Sequence, residues 1–376
     1  MASKLALIIV SVYIGVTIGF GQRSKPALID GPADGRLASK APLYGPTGLA
    51  IGGNYLYIVE SGAKRLRRVD LETGVLATLA GGGKQCRKTD EEAAPSPSCF
   101  GDPQRVAVDS LGNAYVTDEE IEGVVKIAAK TESFSIITAG IVPVLSGEGP
   151  EQPAELEWPA GIAMSPSGGL FFDDYTRHTV FLMTVSGERL KVVAGTGSEG
   201  DAGNGGPAPE AGLSFPEGLT TDAKGNLFIA DSGNCRIQRV TAETGIVTTI
   251  TGTAEGGVTC DGLSKYGVSL DTPSDVAVNQ DGDVFFVLPY RQRVESFDPR
   301  TRVITSIAGN GEEGFTGDGG PAAQARLHFP EGIVLDRAGN LFISDSYNGR
   351  VRRVDAKTGI ITTVAGDGPL QHDIML

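Results

Sequence analysis

The densest group of metal-ligating residue types in the sequence is the acidic loop Asp118-Glu119-Glu120-Ile121-Glu122-Gly123. Carboxylates at its first, third and fifth positions and glycine at its sixth resemble the opening of an EF-hand calcium loop. The twelfth position is Ala129, so the bidentate carboxylate that completes such a loop is missing. Two interpretations follow: a solvated run of charge, or a loosely bound calcium ion.

No motif of a known catalytic site is complete in the sequence. Gly-x-Ser-x-Gly, His-Glu-x-x-His and Cys-x-x-Cys are all missing. Three glycines, residues 81–83, are followed by Lys84 and then by Gln85. A phosphate-binding loop needs Ser or Thr directly after its lysine, so this loop is incomplete. The imidazoles are His178, His328 and His372 alone, so we do not expect a zinc site. The sequence leaves open whether the chain is an enzyme.

Composition and charge limit both the fold and the partners of the 376-residue chain. The formal net charge of −14 repels a phosphate backbone, so we do not expect nucleic acid as a partner. Glycine accounts for 53 residues and proline for 21, while 40% of the residues are hydrophobic. This composition predicts a turn-rich globular chain rather than a coiled coil or a disordered one.

An apolar run near the N-terminus predicts export. Leu5 to Phe20 follows Lys4 and is short for a membrane span, and Gly19 and Gly21 supply the small residues of a cleavage site. We therefore expect residues 1–21 to be a signal peptide. The mature chain, without a membrane span, would be secreted into an extracellular or periplasmic space; the alternative is a retained signal anchor.

Six related segments organise the rest of the sequence. Each opens at a proline, and successive prolines stand 56 or 57 residues apart: Pro46, Pro103, Pro159, Pro216, Pro273 and Pro330. Four short runs of β-branched and aromatic residues alternate with Gly, Asn and Asp turns in each unit, which indicates an antiparallel meander. Four-stranded units repeated radially form propeller blades. The sequence thus predicts an all-β, six-bladed β-propeller of four-stranded antiparallel blades over residues 46–368.

The segments between units are rich in glycine, proline and alanine, as in the run Gly317 to Ala322. The N-terminal segment 22–45 holds a stretched version of this connector, and the sixth unit ends at Gly368, where another connector should begin. We expect residues 22–45 to close the ring between the sixth and first units, and residues 369–376 to form a C-terminal tail.

The repeated core pattern is clearest in GNLFIADSGNCRIQRV, residues 225–240, and GNLFISDSYNGRVRRV, residues 339–354. It resembles the NHL-repeat family, in particular its long-unit secreted type found in bacterial exported proteins and in teneurin-like ectodomains. The resemblance implies a propeller fold. It implies little about chemistry, because related propellers bind proteins or RNA or act as lyases and hydrolases.

Comparison of equivalent positions across the units separates scaffold residues from candidates for function. In three units the loop between the second and third strands opens with an acid and carries an arginine five residues later, which predicts a structural ion pair. The pairs are Glu60 with Arg65, Asp231 with Arg236, and Asp345 with Arg350. The other units lack one partner, which leaves Asp118, Asp174 and Arg293 without a predicted scaffold role.

The first strand shows a second departure from the repeat. Four units have glycine two residues after the unit proline, where a small residue suits the crowded end of a channel. The second and fifth units place Arg105 and Asp275 there, on opposite blades of a six-bladed ring. Either they bind a polar or zwitterionic ligand, or they only neutralise each other and plug the channel. With the aromatic loop residues, the predicted ligand-binding set is Arg105, Asp118, Asp174, Asp275, Tyr290, Arg293 and Tyr347.

Export makes the four cysteines candidates for disulfides. Cys86 and Cys99 lie in one connector, while Cys235 lies in a strand-joining loop and Cys260 in the connector that follows. We expect each cysteine to pair with its sequence neighbour, Cys86 with Cys99 and Cys235 with Cys260.

These observations favour an exported binding or interaction module for an extracellular protein, a polar small molecule or a glycan at the top of the channel. The alternative is a propeller lyase or hydrolase at the same place, with calcium as its candidate cofactor. A structural domain of an envelope or matrix assembly is a third interpretation.

Overall fold

The computed structural model describes residues 34–82, 99–139, 141–145, 152–183, 190–252 and 270–368. Within these ranges the chain forms six antiparallel blades and only short 3-10 helices, so the predicted six-bladed propeller is confirmed. The predicted signal peptide, Cys86, Cys260 and the C-terminal tail lie outside the described residues.

Each blade is a meander of four strands whose order in the sheet follows the chain. Blade one contains β1 (Pro46–Gly52), β2 (Tyr55–Glu60), β3 (Arg65–Asp70) and β4 (Leu76–Gly81). Blade two contains β5 (Pro103–Val108), β6 (Ala114–Asp118), β7 (Gly123–Ile127) and β8 (Phe134–Ala139). An additional hairpin of β9 (Ile141–Leu145) and β10 (Gln152–Glu155) precedes blade three, which contains β11 (Pro159–Met164), β12 (Leu170–Asp174), β13 (Thr179–Met183) and β14 (Leu190–Ala194).

The remaining three blades repeat this plan. Blade four contains β15 (Pro216–Thr221), β16 (Leu227–Asp231), β17 (Arg236–Val240) and β18 (Val247–Gly252). Blade five contains β19 (Val276–Val278), β20 (Val284–Leu288), β21 (Arg293–Asp298) and β22 (Val303–Ala308), and blade six contains β23 (Pro330–Leu335), β24 (Leu341–Asp345), β25 (Arg350–Val354) and β26 (Ile361–Ala365). The 3-10 helices span Ala38–Lys40, Ser61–Ala63, Ala208–Glu210, Ser232–Asn234, Pro289–Arg291, Ala322–Gln324 and Ser346–Asn348.

Blade three is wider than the sequence predicts, because the connector before it forms the β9–β10 hairpin. Strand β9 runs parallel to the outer strand β14, with Val144 opposite Leu190, so the sheet has six strands. Ile141, Val142 and Val144 have high β propensity, and Pro143 is tolerated near a sheet edge. Local propensity thus favours a strand in this connector, whereas the connectors before blades four and six form a 3-10 turn.

The hydrophobic core is divided among the contacts between neighbouring blades. The described residues form six buried apolar clusters, and each draws its residues from two adjacent blades. The blades approach closely near the channel: a Cβ placed on Gly332 would lie 2.1 Å from the carbonyl oxygen of Thr47 in the next blade. This contact explains why most units carry glycine at that position.

The N-terminal segment contacts the seam between blades six and one. The Ala38 carbonyl accepts the Gly366 amide at 2.9 Å, as Ala208 and Ala322 each accept a glycine amide from the end of the preceding blade. Leu43, 1% exposed, belongs to the apolar cluster shared by blades six and one. The segment thus occupies the position of a connector.

Cys99 and Cys235 are buried, and neither carries a free thiol. Their predicted partners lie outside the described residues, so both pairings stay predictions. Among the described residues, the structure contains no helix with the length and hydrophobicity needed to cross a membrane.

Candidate functional site

Arg105 crosses the channel of the propeller near the end where the first strands begin. Its Nη2 lies 3.2 Å from Glu217 Oε1 in blade four, 3.3 Å from the Ser274 carbonyl oxygen in blade five and 3.2 Å from the Glu331 carbonyl oxygen in blade six. The side chain is only 8% exposed. Below it, the first strands of all six blades line a cavity of about 280 Å³. The Arg105 side chain therefore occupies this end of the channel, and its predicted role in ligand binding stays a prediction.

The partner of Arg105 differs from the one that the sequence suggested. Asp275 is 6% exposed, and its oxygens accept the backbone amides of Val276 and Ile333, each at 2.9 Å. It attracts Arg105 electrostatically, but the direct ion pair is with Glu217. Asp275 thus ties blade five to blade six.

Four carboxyl groups surround the single guanidinium group. Burial opposes the charge of Arg105, and attraction by Asp275, Glu217, Glu331 and Asp173 outweighs it and raises the pKa of Arg105. Burial also raises the pKa of Glu217 to about 7, with repulsion from Glu331 and Asp275 adding to the effect and Arg105 opposing it. Burial raises the pKa of Glu331 to about 7 against the attraction of Arg105. The mouth is an acidic site around one internal cation.

Asp173 is the most deeply buried of these acids, with no solvent exposure. Its Oδ1 accepts the amides of Ala160 and Gly161, while its Oδ2 has no hydrogen-bond partner. Burial raises its pKa well above the usual value, and repulsion from Asp174 and Glu217 contributes. At the equivalent position of blade two, Thr117 donates to the Ala160 carbonyl of the next blade at 2.6 Å. A protonated Asp173 is suited to the same role.

An aromatic rim surrounds the acids. Tyr290 packs against Phe329 with ring centroids 5.4 Å apart, and Phe329 stacks on Tyr347 at 4.8 Å. In blades three and four, Tyr175 packs against Phe215 at 5.0 Å. Burial is the main cause that raises the pKa values of Tyr175 and Tyr347. Electrostatic repulsion contributes as well, from Glu217 and Tyr290 at Tyr175, and from Glu331 and Tyr290 at Tyr347. These residues therefore converge on one mouth of the channel.

Two rim residues adopt a conformation that bulky side chains rarely take. Phe215 and Phe329, each directly before a unit proline, have φ values of 48° and 50°. The Phe215 amide donates to His178 Nδ1 at 3.0 Å, and the Phe329 amide donates to Gln292 Oε1 at 2.6 Å. Each bond joins the rim residue to a loop of the preceding blade, which holds the aromatic ring in place.

Asp118 and Asp174 have a scaffold role in the structure. The inference from the sequence that they lack such a role was therefore wrong. Asp118 accepts the amides of Gly101 and Asp102 at 2.8 and 2.9 Å. Asp174 accepts the Glu157 amide at 2.8 Å. Glu60 likewise accepts the Tyr44 amide at 2.8 Å, two residues before its unit proline. The acid holds the start of the first strand whether or not an arginine follows; ligand binding by Asp118 and Asp174 stays a prediction.

The arginine pairings are confirmed in two blades and wrong in the third. Arg65 bonds Glu60, and Arg236 bonds Asp231. In blade six, Asp345 pairs with Arg352 at 3.3 Å, while the Arg350 guanidinium stacks over the Phe315 ring at 3.9 Å.

Arg293 turns toward its own blade and connector. It donates to Ser306 Oγ at 3.4 Å and to the Asn310 carbonyl at 3.0 Å. These contacts do not join it to the rim or the acids of the channel mouth, and its ligand role stays a prediction.

The acidic loop lines a separate cleft with Lys64, Asp102 and Glu157. Burial raises the pKa of Glu119 to about 7, and the Asp102 carboxyl, to which it is hydrogen bonded, contributes. Within the described ranges, no group of three or more His, Cys, Asp or Glu side chains is arranged to hold a metal ion. Calcium binding at this loop receives no geometric support.

The comparison of equivalent positions did not predict that Glu217, Glu331 and Asp173 lie at the channel mouth. It also did not predict the positive φ values of Phe215 and Phe329. Glu217 and Glu331 directly precede the glycine position at which the units were compared. Blades four and six both read Phe-Pro-Glu-Gly, from Phe215 and from Phe329, so the repeated glutamate was visible in the sequence. Asp173 replaces the Thr or Ser found at its position in blades two and six. A scan of every position, rather than of the loop and glycine positions alone, would have found these residues.

Comparisons with known proteins agree with this architecture. The sequence profile of the teneurin NHL domain matches residues 294–373, and that of the NHL repeat matches residues 213–240. The repeats, the six blades and these matches define an NHL-repeat β-propeller similar to those of NHL repeat-containing proteins and teneurins.

The chain is matched over most of its length by curated relatives. It is 26% identical to Teneurin-3 of Mus musculus, over 94% of this chain and 15% of that protein. It is 24% identical to NHL repeat-containing protein 2 of Gallus gallus, over 86% of this chain and 48% of that protein. The chain thus spans less than half the length of these relatives.

Solved structures with the same fold have different functions. An auxiliary nutrient binding protein from Bacteroides thetaiotaomicron matches with a TM-score of 0.58 and 17% identity, over 86% of this chain and 70% of that chain. A streptogramin B lyase matches with a TM-score of 0.51 and 15% identity, over 90% and 87%. At these identities the matches show the shared propeller fold alone.

Proposed function

We propose that the chain is an exported binding module that takes a protein, a polar small molecule or a glycan at the mouth of its channel. The observation that carries the proposal is the aromatic rim above Glu217 and Glu331. Tyr290 is 67% exposed, and its neighbours Phe329 and Tyr347 are half-buried. Exposed aromatic rings beside polar groups are typical of recognition sites, since the rings supply contact area at low entropic cost.

A fragment screen tests the location of the site. Ligand-observed NMR with charged, neutral polar and sugar fragments would be run on the mature protein and on Tyr290→Ala. The control is Leu111→Ala, because Leu111 is 76% exposed in the turn between β5 and β6, at the other end of the strands. We expect hits that Tyr290→Ala loses and Leu111→Ala keeps. Hits that survive both substitutions would place binding elsewhere.

Export has its own test. Mass spectrometry of the N-terminus of the protein recovered outside the cells of its source should find a chain that begins near Gln22. Recovery only in cells, with residues 1–21 retained, would contradict export.

A lyase or hydrolase is the second candidate, favoured by the pKa of about 7 of both Glu217 and Glu331. A carboxyl group with such a pKa can donate or accept a proton near neutral pH. Conversion of a bound fragment that stops in Glu331→Gln while binding persists would favour an enzyme. Binding without conversion supports the module.

A further inference from the structure

We propose that the channel mouth binds the ammonium or guanidinium group of its ligand between the carboxylate of Glu331 and the ring and hydroxyl of Tyr290, with Glu217 as a second acidic contact. This inference rests on the proposed function, because it names the chemical class of ligand for the same site.

The resident arginine is held inside the protein by one of its nitrogens, while its Nε is buried with no hydrogen-bond partner among the described residues. Arg105 Nη2 shares its two hydrogens among three acceptors in blades four, five and six, and the side chain is 8% exposed. The Asp275 oxygens are similarly taken by two backbone amides. Both members of the pair that the sequence suggested for a zwitterion are therefore buried, and Arg105 presents little of its guanidinium group to an anionic ligand.

Glu331 is the acid left without a partner. Its carboxylate makes no hydrogen bond and no ion pair with the described residues, although its backbone carbonyl accepts from Arg105 and Ser274. The side chain of Glu217 is 32% exposed, so a ligand can reach it as well. Four acids face one guanidinium group at this mouth, which leaves it an excess of negative charge whenever they are ionised. An electrostatically complementary ligand group is positive.

The rim has the chemistry that accompanies such a group. The exposed ring of Tyr290 lies at right angles to that of Phe329, with an interplanar angle of 87°. Cations bind favourably over aromatic faces, and a Tyr hydroxyl accepts hydrogen bonds from ammonium and guanidinium donors. The hydroxyls of Tyr290 and Tyr347 make no hydrogen bond within the described ranges.

The test uses four small molecules that share one alkyl chain: n-butylammonium, N-butylguanidinium, N-butylurea and butyrate. Titration calorimetry at pH 8 and low salt compares them on the mature protein. We expect at least one of the cations to bind at least tenfold more tightly than N-butylurea, and butyrate to bind more weakly than N-butylurea. Glu331→Gln should weaken the cations at least tenfold and leave N-butylurea unchanged. Glu243→Gln, an exposed acid in the turn between β17 and β18, is the matched control and should change nothing.

A peptide with one internal arginine, blocked at both ends, distinguishes the sources of the cation. Tighter binding of the peptide than of N-butylguanidinium supports an arginine side chain of a protein partner. The reverse order supports a free amine or guanidine. Both orders support the proposal that the mouth binds a positively charged group.

The charge inference is overturned if both cations bind no more tightly than N-butylurea, or if Glu331→Gln leaves their affinities unchanged while its melting temperature shows an intact fold. Equal binding of cation and urea, lost together in Tyr290→Ala, would overturn the charge preference alone and keep the mouth as a binding site. No binding of these molecules or of any screened fragment would overturn both proposals.

Discussion

Arg105 and Glu217 lie in blades two and four, which are not neighbours in the ring, yet their side chains form an ion pair at 3.2 Å. The same guanidinium group reaches backbone carbonyls of blades five and six. One side chain thus links four of the six blades across the channel. Because Arg105 is the cation that the acids of the mouth surround, its positive charge offsets part of their negative charge.

Replacement of that residue should destabilise the fold in a pH-dependent way. Arg105→Met leaves the surrounding carboxylates without their cation, and removal of one partner of a buried pair costs about 3 kcal/mol. The loss should be largest at pH 8 and smaller at pH 5, where Glu217 and Glu331 are protonated. Urea unfolding at the two pH values measures it. Arg300→Met, which removes an exposed arginine with two ion pairs, is the control and should have little effect at either pH.

The acids of the mouth also predict how stability varies with pH in the unmodified protein. The pKa values of Glu217 and Glu331 are raised from 4.5 to about 7, so the folded chain holds more protons than the unfolded chain between these values. The free energy of unfolding contributed by these groups therefore falls as the pH rises from about 4.5 through 7. Glu217→Gln/Glu331→Gln should flatten this slope in unfolding titrations at pH 5, 6, 7 and 8. An unchanged slope would show that these acids titrate normally.

The fold was predictable from the sequence because its signals repeat. The unit proline, the glycine that faces the next blade and the Asp or Glu that opens the loop each recur at equivalent positions, so one unit checks another. The site was only partly predictable, because it depends on distances across the channel. Glu217 stands 112 residues from Arg105, and nothing in either local pattern indicates that the two side chains meet. The β9–β10 hairpin was missed for a related reason, since it occurs in one connector and has no internal copy.

Closure of the ring can be tested within one short segment. Leu43 is 1% exposed at the seam between blades six and one, while Leu37 in the same segment is 53% exposed. Leu43→Ala should cost about 3 kcal/mol, as expected for a buried leucine, and Leu37→Ala less than about 1 kcal/mol. Chemical unfolding of both variants gives the comparison. Equal losses would mean that the segment is not part of the closed core.

The cysteine pairing predicts a specific peptide map. Non-reducing digestion should yield Cys86 joined to Cys99 and Cys235 joined to Cys260. In the chain-entropy view each short loop would contribute on the order of 3 kcal/mol. Free thiols, or Cys86 joined to Cys235, would contradict the prediction, and Cys→Ser substitution in each pair would measure the stability that it supplies.

The last prediction concerns the strained rim residue Phe329, whose φ is 50°. Glycine tolerates this conformation, while an L side chain is destabilised in it by about 1 kcal/mol. Phe329→Gly and Phe329→Ala both remove the ring, so they differ mainly in backbone strain. We therefore expect Phe329→Gly to be the more stable variant by about 1 kcal/mol, the reverse of the usual order in regular structure. Trp158 also precedes a unit proline but lacks a positive φ, so Trp158→Gly should be less stable than Trp158→Ala. Urea unfolding of the four variants tests both orders; the same order at both positions would show that Phe329 is not held in the left-handed conformation.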